Sequence, residues 1–372
     1  MPKEAAKSLV VIPSVRNPQV IDDYIDNANL HHFNLDRFTF LILTEDFVDK
    51  KDYSKKFEEH GTNGVVMNER DRREMARDLR ISKFYDVFPQ RSHAETSYGL
   101  LYMAVNNFDY GFFIDDDTRP IASIDYFRTH LQNLGFSGEV TRVSSSSGWV
   151  NVLYRSYHKH KLYPRGFPYS ATSESVKVDT EKCRNVVVSQ GLWTNIPDLD
   201  AVRILSDGDL NGQAKTRLNA GDFGENFTVK RGQFTTVCSM NLAFKKEIIP
   251  AFYQFKMDDN PWRIGRFDDI WSGIVVKRVA DALGKTILNG HPLCEHNKAP
   301  RSTFKDLNSE APGLESNEWF SKVVGVVRLS GKDESSMTAS IGRALAKSRF
   351  PFIRYSGNHL LRWLELLDVV SA

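Results

Sequence analysis

The chain has 372 residues, of which 41% are hydrophobic and 26% are charged, so it can bury a large core as one α/β domain or as two domains. This composition excludes a disordered chain, a collagen and a coiled coil. The 49 Lys and Arg residues nearly balance the 47 Asp and Glu residues, for a net charge of +2. Nucleic acid and an anionic membrane surface are therefore not expected as partners.

Targeting and cysteine patterns indicate a cytoplasmic protein. The apolar run at residues 9–13 is too short for a signal-peptide core, and no stretch approaches the roughly 20 apolar residues of a membrane span. The three cysteines, Cys183, Cys238 and Cys294, lie far apart in the chain. That spacing is typical of neither a zinc site nor a disulfide framework.

The first 120 residues alternate short apolar runs with helix-compatible stretches, a pattern that predicts a βαβ sheet. Predicted strands cover residues 9–12, 38–43, 64–67 and 110–114. The segment 92–106 has apolar residues at helical spacing and predicts a helix directly before the fourth strand.

The rest of the chain is less regular until residue 268. We predict a strand at 186–188, a long surface excursion over 205–233, a helix over 268–283 capped by Gly284, and a strand at 286–288. From residue 303 the pattern is helical, and the amphipathic segment 359–367 is expected to pack on the body or on a partner chain. We therefore divide the chain into a catalytic domain, 1–302, and a mainly helical C-terminal region, 303–372.

An acidic run follows the fourth strand at Asp115, Asp116 and Asp117. Open α/β sheets bind ligands at the carboxyl ends of their strands, and carboxylates there suit Mg²⁺ or Mn²⁺ bridging to a diphosphate. Three adjacent acids at a buried strand end repel one another and need a cation or a basic partner. The alternative is a solvated acidic turn before a helix capped by Ser123.

Glycine-rich phosphate loops are absent from the sequence. Neither GxxxxGK[ST] nor a GxGxxG after the first strand occurs, which argues against a kinase, a P-loop ATPase and a dinucleotide dehydrogenase. A nucleotide held by a metal and a few arginines remains open.

The sequence after the acidic run contains further candidate site residues, which are an arginine, two aspartates, a tryptophan and a histidine. Arg165 lies in a rigid aromatic stretch, either as a surface turn or as a guanidinium fixed beside a sugar or phosphate. Of Asp268 and Asp269, we expect one to cap the helix and the other to act as base, nucleophile or electrostatic stabiliser. Trp271 offers a sugar-stacking face, and His296 is either structural or completes a metal site.

Six segments, in order, resemble the reversibly glycosylated polypeptides, the family that includes UDP-arabinopyranose mutases. The segments are residues 11–17 (VIPSVRN), 114–117 (IDDD), 165–170 (RGFPYS), 191–198 (GLWTNIPD), 240–244 (MNLAF) and 265–271 (GRFDDIW). No match is found from residue 303 onward.

The resemblance implies a glycosyltransferase A-type fold, that is, a Rossmann-like nucleotide-diphosphosugar transferase sheet with helices on both faces, here with a helical C-terminal extension. It implies Mn²⁺ or Mg²⁺ as cofactor, a UDP-sugar as substrate and a homo-oligomer. Arg165 matches the arginine that is reversibly glycosylated, with Asp268 and Asp269 as further catalytic residues. A second possibility is that Arg165 stays charged and stabilises departing UDP.

The resemblance also implies ligand contacts. Those expected for the nucleotide are Pro13, Arg16, Glu45 or Asp46, Arg91 and Asp116. Those expected for the sugar are Trp193, Asn241 and Trp271, and those expected for the metal are Asp115, Asp117 and His296.

Three functions follow from these observations. The first is a mutase that interconverts the pyranose and furanose forms of a UDP-sugar, with UDP-L-arabinose as substrate. The second is a metal-dependent glycosyltransferase that passes the sugar to a separate acceptor. The third is a non-catalytic UDP-sugar-binding subunit.

Overall fold

The computed structural model describes residues 6–16, 18–172 and 175–371, and Asn17 of the first motif lies outside them. The strands are β1 (Ser8–Pro13), β2 (Phe38–Leu43), β3 (Gly64–Met67), β4 (Tyr110–Ile114), β5 (Thr118–Pro120), β6 (Gly138–Ser145), β7 (Trp149–Val150), β8 (Val176–Cys183), β9 (Val186–Asn195), β10 (Phe227–Val229), β11 (Phe234–Thr235), β12 (Asn241–Lys245) and β13 (Thr286–His296).

Helices connect these strands and form the C-terminal region. They are α1 (Gln19–Leu30), α2 (Lys50–His60), α3 (Glu69–Asp78), α4 (Thr96–Val105), α5 (Tyr126–Leu134), α6 (Tyr157–His160), α7 (Ala201–Asp207), α8 (Asp268–Ala282), α9 (Thr303–Val326), α10 (Glu334–Leu345) and α11 (Pro351–Ser371). Short 3₁₀ turns lie at Ser82–Val87, His93–Glu95, Tyr169–Ala171, Ala220–Asp222 and Lys246–Ala251.

The main sheet has the strand order β3-β2-β1-β4-β12-β9-β13-β10-β6-β8, with β5 added to β13. Strands β1 to β4 are mutually parallel. β12 runs antiparallel to both β4 and β9, and β13 is parallel to β9. The carboxyl ends of β1, β2, β4, β9 and β13 therefore meet the amino end of β12 at one edge of the sheet.

Two apolar layers cover the two faces of the sheet. Alternate residues of β1 enter opposite layers, Leu9 and Val11 one and Val10 and Ile12 the other, as the two-residue period of a strand requires. Helices α1, α2 and α5 pack on the second layer. Helices α4 and α8 and the C-terminal helices pack on the first.

The predicted strands and helices are largely confirmed. Strands β2, β3 and β4 have the predicted bounds, and β1 is one residue longer at each end. Helix α8 begins at Asp268 as predicted, and Gly284 follows it with φ +70°. Asp125, not Ser123, caps α5, and the strands predicted at 186–188 and 286–288 continue to Asn195 and His296. The surface excursion predicted over 205–233 was wrong in part, because it contains the buried strand β10 of the main sheet.

The C-terminal region is helical, as predicted, and its helices pack on the layer of the main sheet that also contains α4 and α8. In α11 the apolar side chains of Leu360, Trp363 and Leu364 are buried, and the ring of Trp363 stacks on Tyr253 at 5.6 Å. The expected amphipathic face of 359–367 therefore packs on the chain's own core. In the part of the chain that the structure describes, no helix combines the length and apolarity that a bilayer crossing needs.

Candidate active site

A cleft of about 440 Å³ lies at the edge where the strand ends converge. Most of the residues singled out from the sequence line it. They are Pro13, Arg16, Glu45, Arg91, Asp115, Asp116, Asp117, Arg165, Asp268, Asp269 and His296.

The acidic run is partly neutralised by the loop after β1. Asp116 accepts hydrogen bonds from Ser14 Oγ and Arg16 Nη1, both at 2.9 Å, and Asp117 lies 3.5 Å from the same Arg16 nitrogen. Burial raises the pKa of Asp116 to about 6 although Arg16 opposes it. Arg16 therefore neutralises only part of the charge of this acidic run.

His93 bridges two carboxylates across the cleft. Its Nε2 lies 3.0 Å from Asp115 Oδ1 and its Nδ1 lies 2.7 Å from Asp268 Oδ2. Burial alone would lower the pKa of His93, but the two carboxylates outweigh burial and hold the pKa well above its ordinary value. Both ring nitrogens therefore donate, and the ring is an imidazolium that fixes Asp268 against Asp115.

Arg165 is held in place by a glycine turn and by its own backbone. Gly166 has φ +82°, and a Cβ there would lie 2.3 Å from Ile270, so the turn requires glycine. The Arg165 backbone N–H donates to the carbonyl of Asp198 at 2.9 Å. These contacts direct a buried guanidinium into the cleft, so the interpretation of Arg165 as an exposed surface turn was wrong.

Each nitrogen of the Arg165 guanidinium has an acceptor. Nε donates to Asp198 at 3.0 Å, Nη1 and Nη2 donate to the two oxygens of Asp269 at 3.1 and 3.2 Å, and Nη1 also donates to the carbonyl of Arg266. Nη2 lies 3.0 Å from Asp198 Oδ2. Burial would lower the pKa of Arg165, but Asp198 and Asp269 raise it well above the ordinary value.

Neither Asp268 nor Asp269 caps α8, contrary to the prediction. The N-cap is Phe267, without a side-chain hydrogen bond. Asp269 instead accepts the N–H groups of Ile270 at 2.9 Å and Ser239 at 3.3 Å. Both carboxylates lie in the first turn of the helix, where the helix dipole favours negative charge, and both face the cleft.

Helix α9 of the C-terminal region contacts the loops that carry Arg165 and Asp269. Arg266 has φ +65°, a strained conformation for a side-chain-bearing residue, and its Nε donates to the fully buried Glu310 of α9. Asn317 of the same helix donates to the carbonyl of Gly166 at 2.9 Å. The C-terminal region thus fixes the two loops that carry Arg165 and Asp269.

Asp117 and His296 form a donor pair that fits a divalent metal ion. His296 Nδ1 lies 2.8 Å from the carbonyl of Ile196, which can only accept, so Nδ1 carries the proton. In the neutral ring, the lone pair of Nε2 then faces Asp117 Oδ1 at 3.8 Å, an arrangement typical of a metal-ligating histidine with its supporting carbonyl. Within the described residues no group of three or more His, Cys, Asp or Glu could hold a metal, so further ligands would come from substrate and water.

The other end of the cleft holds two facing glutamates. Glu45 follows β2 and lies within hydrogen-bonding reach of Glu95, and Glu95 pairs with the buried Arg72 at 3.1 Å. Burial raises the pKa of Glu95, with a further contribution from the neighbouring Glu45, to about 8. Arg72 acts in the opposite direction. The Glu95 carboxyl therefore keeps its proton near neutral pH and can donate it to Glu45 in a hydrogen bond.

The predictions that Trp193, Asn241 and Trp271 contact the sugar and that Asp46 contacts the nucleotide were wrong, because these side chains lie elsewhere. Trp193 and Asn241 are buried in the sheet, where Asn241 lies against His130 at 3.0 Å. Trp271 is fully buried and stacks on Phe320 at 4.0 Å. Asp46 accepts the backbone N–H of Arg70, and in the described chain these four side chains are outside the cleft lining. Trp193, Asn241 and Trp271 fill the core because β9, β12 and α8 are buried on both faces, whereas Asp46 is exposed after β2.

Sequence reasoning missed several cleft residues. His93, Glu95, Asp198, Arg266, Lys298 and Arg301 all line the cleft or the Arg165 pair. Asp198 ends the fourth matching segment and Arg266 lies in the sixth, so these segments carried a signal. His93 and Lys298 belong to no pattern that their neighbours reveal.

The strand order and the acidic edge define a glycosyltransferase A-type fold, as predicted. The family described as reversibly glycosylated polypeptide matches residues 80–347, well over half of the chain, and the match extends beyond the last segment recognised in the sequence. The chain belongs to the reversibly glycosylated polypeptide family.

Relatives of known name are similar over part of the chain. UDP-arabinopyranose mutase 1 of Arabidopsis thaliana is 33% identical over 212 residues, which are 55% of this chain and 52% of that protein. UDP-arabinopyranose mutase 2 of the same plant is 30% identical over 277 residues, 70% of this chain and 69% of that protein. UDP-arabinopyranose mutase 1 of Oryza sativa is 32% identical over 55% of this chain and 51% of that protein. The chain thus spans about half the length of two of these relatives.

Solved structures show only distant likeness. Glucosyl-3-phosphoglycerate synthase from Mycobacterium tuberculosis, in complex with Mn²⁺, UDP and glucosyl-3-phosphoglycerate, gives a TM-score of 0.38 at 12% identity, over 85% of this chain and 80% of that one. A mannosyltransferase from Pyrobaculum calidifontis, in complex with GDP-Man and Mn²⁺, gives a TM-score of 0.40 at 12% identity, over 100% of this chain and 87% of that one.

Proposed function

We propose that the protein is a UDP-sugar mutase that interconverts pyranose and furanose forms, with UDP-L-arabinose as substrate. The observation that carries the proposal is the Arg165 guanidinium, fixed by Asp198 and Asp269 in a cleft that the acidic run also lines. Family membership and the names of the relatives support the choice of a mutase.

Ring contraction sets the chemical requirements of this cleft. The anomeric bond to UDP must break, the ring must open, and the 4-hydroxyl must replace the 5-hydroxyl at the anomeric carbon. UDP has to stay bound throughout, because it must return to the same carbon. A cleft that contacts the diphosphate and the sugar at once meets this requirement.

We assign Arg165 the role of transient sugar carrier. As the anomeric C–O bond breaks with its electrons to the phosphate, an Nη lone pair forms the C–N bond and the Nη proton passes to Asp269. A guanidinium with a raised pKa is a poor nucleophile, so attack must accompany this proton transfer. The hydrogen bonds between Nη1 or Nη2 and Asp269 supply the path.

Asp268 is suited to a different role. Burial would raise its pKa, but His93 beside it lowers the pKa instead, so Asp268 stays ionised in the cleft. A fixed carboxylate there stabilises positive charge that develops at the anomeric carbon. His93 keeps this carboxylate in position.

Asp117 and His296 would hold Mn²⁺ or Mg²⁺, which would neutralise the diphosphate and favour its departure. Arg16, which pairs with Asp116, would contact the same diphosphate. A cytoplasmic location is supported by the buried, free thiols of Cys183, Cys238 and Cys294, since reducing compartments keep thiols unpaired. A homo-oligomer stays a prediction.

The test compares wild type with Arg165→Lys, which keeps the charge but not the paired geometry. Each protein is incubated with UDP-arabinopyranose and Mn²⁺, the nucleotide sugars are separated by chromatography, and the intact protein is weighed. We expect UDP-arabinofuranose and a pentose-sized adduct with wild type and neither with the variant. The control is Arg142→Lys, because Arg142 forms an equivalent two-pronged pair with Asp179 on the surface.

Other results would redirect the assignment. Wild-type protein that binds the substrate but forms no furanose would refute the mutase. Release of UDP that is accelerated by an added acceptor would indicate a glycosyltransferase. Furanose formation without an adduct would show that Arg165 acts only as a charge.

A further inference from the structure

Lys298 is a buried cation in the cleft, and no described residue accepts a hydrogen bond from it. It follows β13 by two residues, it is 7% exposed, and it lines the same cavity as Asp117 and His296. Over the described residues, its Nζ has no hydrogen-bond partner. A buried ammonium left unsatisfied costs free energy, so a ligand that satisfies it is expected.

The neighbouring cations differ from Lys298 because each has an acid of its own. Arg266 donates to Glu310, and Arg301 lies 2.5 Å from Asp306. The remaining nearby carboxylate, Asp198, is committed to Arg165. Lys298 therefore belongs to a group of three cations in which it alone lacks a paired anion in the described structure.

Electrostatics agrees with this geometry. Lys298 lies near the guanidinium of Arg266 and near the carboxylates of Asp198, Asp306 and Glu310. Each of these carboxylates is paired with an arginine, so an anionic ligand would supply the paired negative charge that Lys298 lacks among the described residues.

We propose that Lys298 Nζ binds the β-phosphate of the nucleotide and holds UDP in the cleft while the sugar ring is open. The inference rests on the proposed function and adds a residue that the resemblance did not assign. As the anomeric C–O bond breaks, both electrons go to the β-phosphate oxygen and the phosphate gains one negative charge. Lys298 keeps its protons, and its attraction to that oxygen grows. When the bond re-forms, the same oxygen returns to the anomeric carbon.

A phosphate explains the position better than a neutral hydroxyl does. An ammonium offers three donors and a full charge, and charge-assisted hydrogen bonds to phosphate are about twice as strong as neutral ones. Lys298 is also only two residues from His296, which we place at the metal beside the same diphosphate. The phosphate could belong to UDP or to a separate phosphorylated ligand, and the test separates the two.

The test uses Lys298→Met, which removes the charge and keeps much of the volume. Binding of UDP, uridine and pyrophosphate is measured by titration calorimetry, with Mn²⁺ and again with a chelator. We expect UDP and pyrophosphate to bind about tenfold more weakly or worse, and uridine to bind as it does to wild type. The control is Lys305→Met, at an exposed lysine near the start of α9.

Thermal unfolding without ligand gives a second readout. Because the ammonium has no partner, Lys298→Met should be at least as stable as wild type. Loss of stability would point to a structural lysine and overturn the proposal, as would unchanged UDP affinity. Weaker pyrophosphate binding with unchanged UDP binding would assign the position to a separate anion and also overturn it.

Failure of the mutase proposal can be distinguished from failure of this one. If wild type forms no furanose while Lys298→Met still loses UDP affinity selectively, the function is wrong and the phosphate contact stands. If furanose forms and the variant binds UDP normally, the function stands and the phosphate contact is wrong.

Discussion

Arg165 and Asp269 meet edge to edge, with Nη1 to Oδ1 at 3.1 Å and Nη2 to Oδ2 at 3.2 Å. Both side chains are almost fully buried. The pair joins a turn after residue 164 to the first turn of α8, so two distant parts of the chain depend on it for their relative position. It also confines any reaction at the guanidinium to a nitrogen that already shares its proton with a carboxylate.

Arg165→Ala should lower the free energy of unfolding by about 3 to 5 kcal/mol, because it leaves two buried carboxylates unpaired. Urea denaturation measures this loss. Arg142→Ala, in the exposed pair with Asp179, should cost less than about 1 kcal/mol. Equal losses at the two arginines would contradict the assigned burial of the Arg165 pair.

Glu95→Gln should gain stability relative to wild type as the pH rises from 6 to 9. The pKa of Glu95 is raised to about 8 in the folded protein, whereas it is near its ordinary value of ~4.3 when unfolded. Between these values the unfolded chain loses its proton first, so wild-type stability falls with rising pH. Glutamine does not titrate and removes this dependence.

Melting temperatures of both proteins, recorded across that pH range, check the Glu95 prediction. The exposed Glu58 provides the control as Glu58→Gln, which should track wild type at each pH. A constant difference between Glu95→Gln and wild type would show that the carboxyl is already ionised at pH 6.

His296→Gln should weaken Mn²⁺ binding in the presence of UDP, since the amide is a poorer ligand than imidazole for this ion. Loss of a metal ligand is expected to reduce affinity on the order of tenfold or more. Titration calorimetry of Mn²⁺ into the UDP-saturated protein gives the affinity. Glu295→Gln is the matched control, because Glu295 is the exposed neighbour on the same strand. Identical Mn²⁺ affinity in all three proteins would exclude His296 as a ligand.

Glu310→Gln should destabilise the protein by about 3 kcal/mol and reduce turnover, because Arg266 loses its buried counter-ion. The effect is expected although Glu310 lies in the C-terminal region, outside the predicted catalytic domain. Urea denaturation and product formation are measured beside Glu315→Gln, an exposed position on the same helix. If Glu310→Gln unfolds in urea and forms product as wild type does, α9 does not support the loop that carries Arg165.

The sequence predicts those parts of the fold that depend on local pattern. The strands at 38–43, 64–67 and 110–114 were found at their observed bounds because continuous apolar runs ended at polar turns. The order β4-β12-β9-β13 could not be predicted, because antiparallel insertion of β12 depends on contacts between distant segments. Asp198, which follows β9, reaches the site only through that order.

The sequence predicted the charged residues of the site better than the aromatic residue assigned to the sugar. Arg165, Asp269 and Asp117 lie in the cleft as expected. Trp271 was assigned to the sugar because indole rings often stack on sugars, but its helix is buried on all sides and the ring packs on Phe320. A helical period alone does not distinguish an aromatic residue that faces a cleft from one that faces a second layer of helices.

Strand β13 shifts register between Gly290 and Pro292 and again between Pro292 and Cys294. Side chains alternate faces along a strand, so these irregularities determine that His296 turns toward the cleft while Glu295 stays exposed. Adding one residue to this stretch would present Glu295 and Asn297 to the substrate in place of His296 and Lys298. The number of residues in β13 is therefore as much a part of the site as their identity, and relatives that alter it would have to lose imidazole and ammonium together.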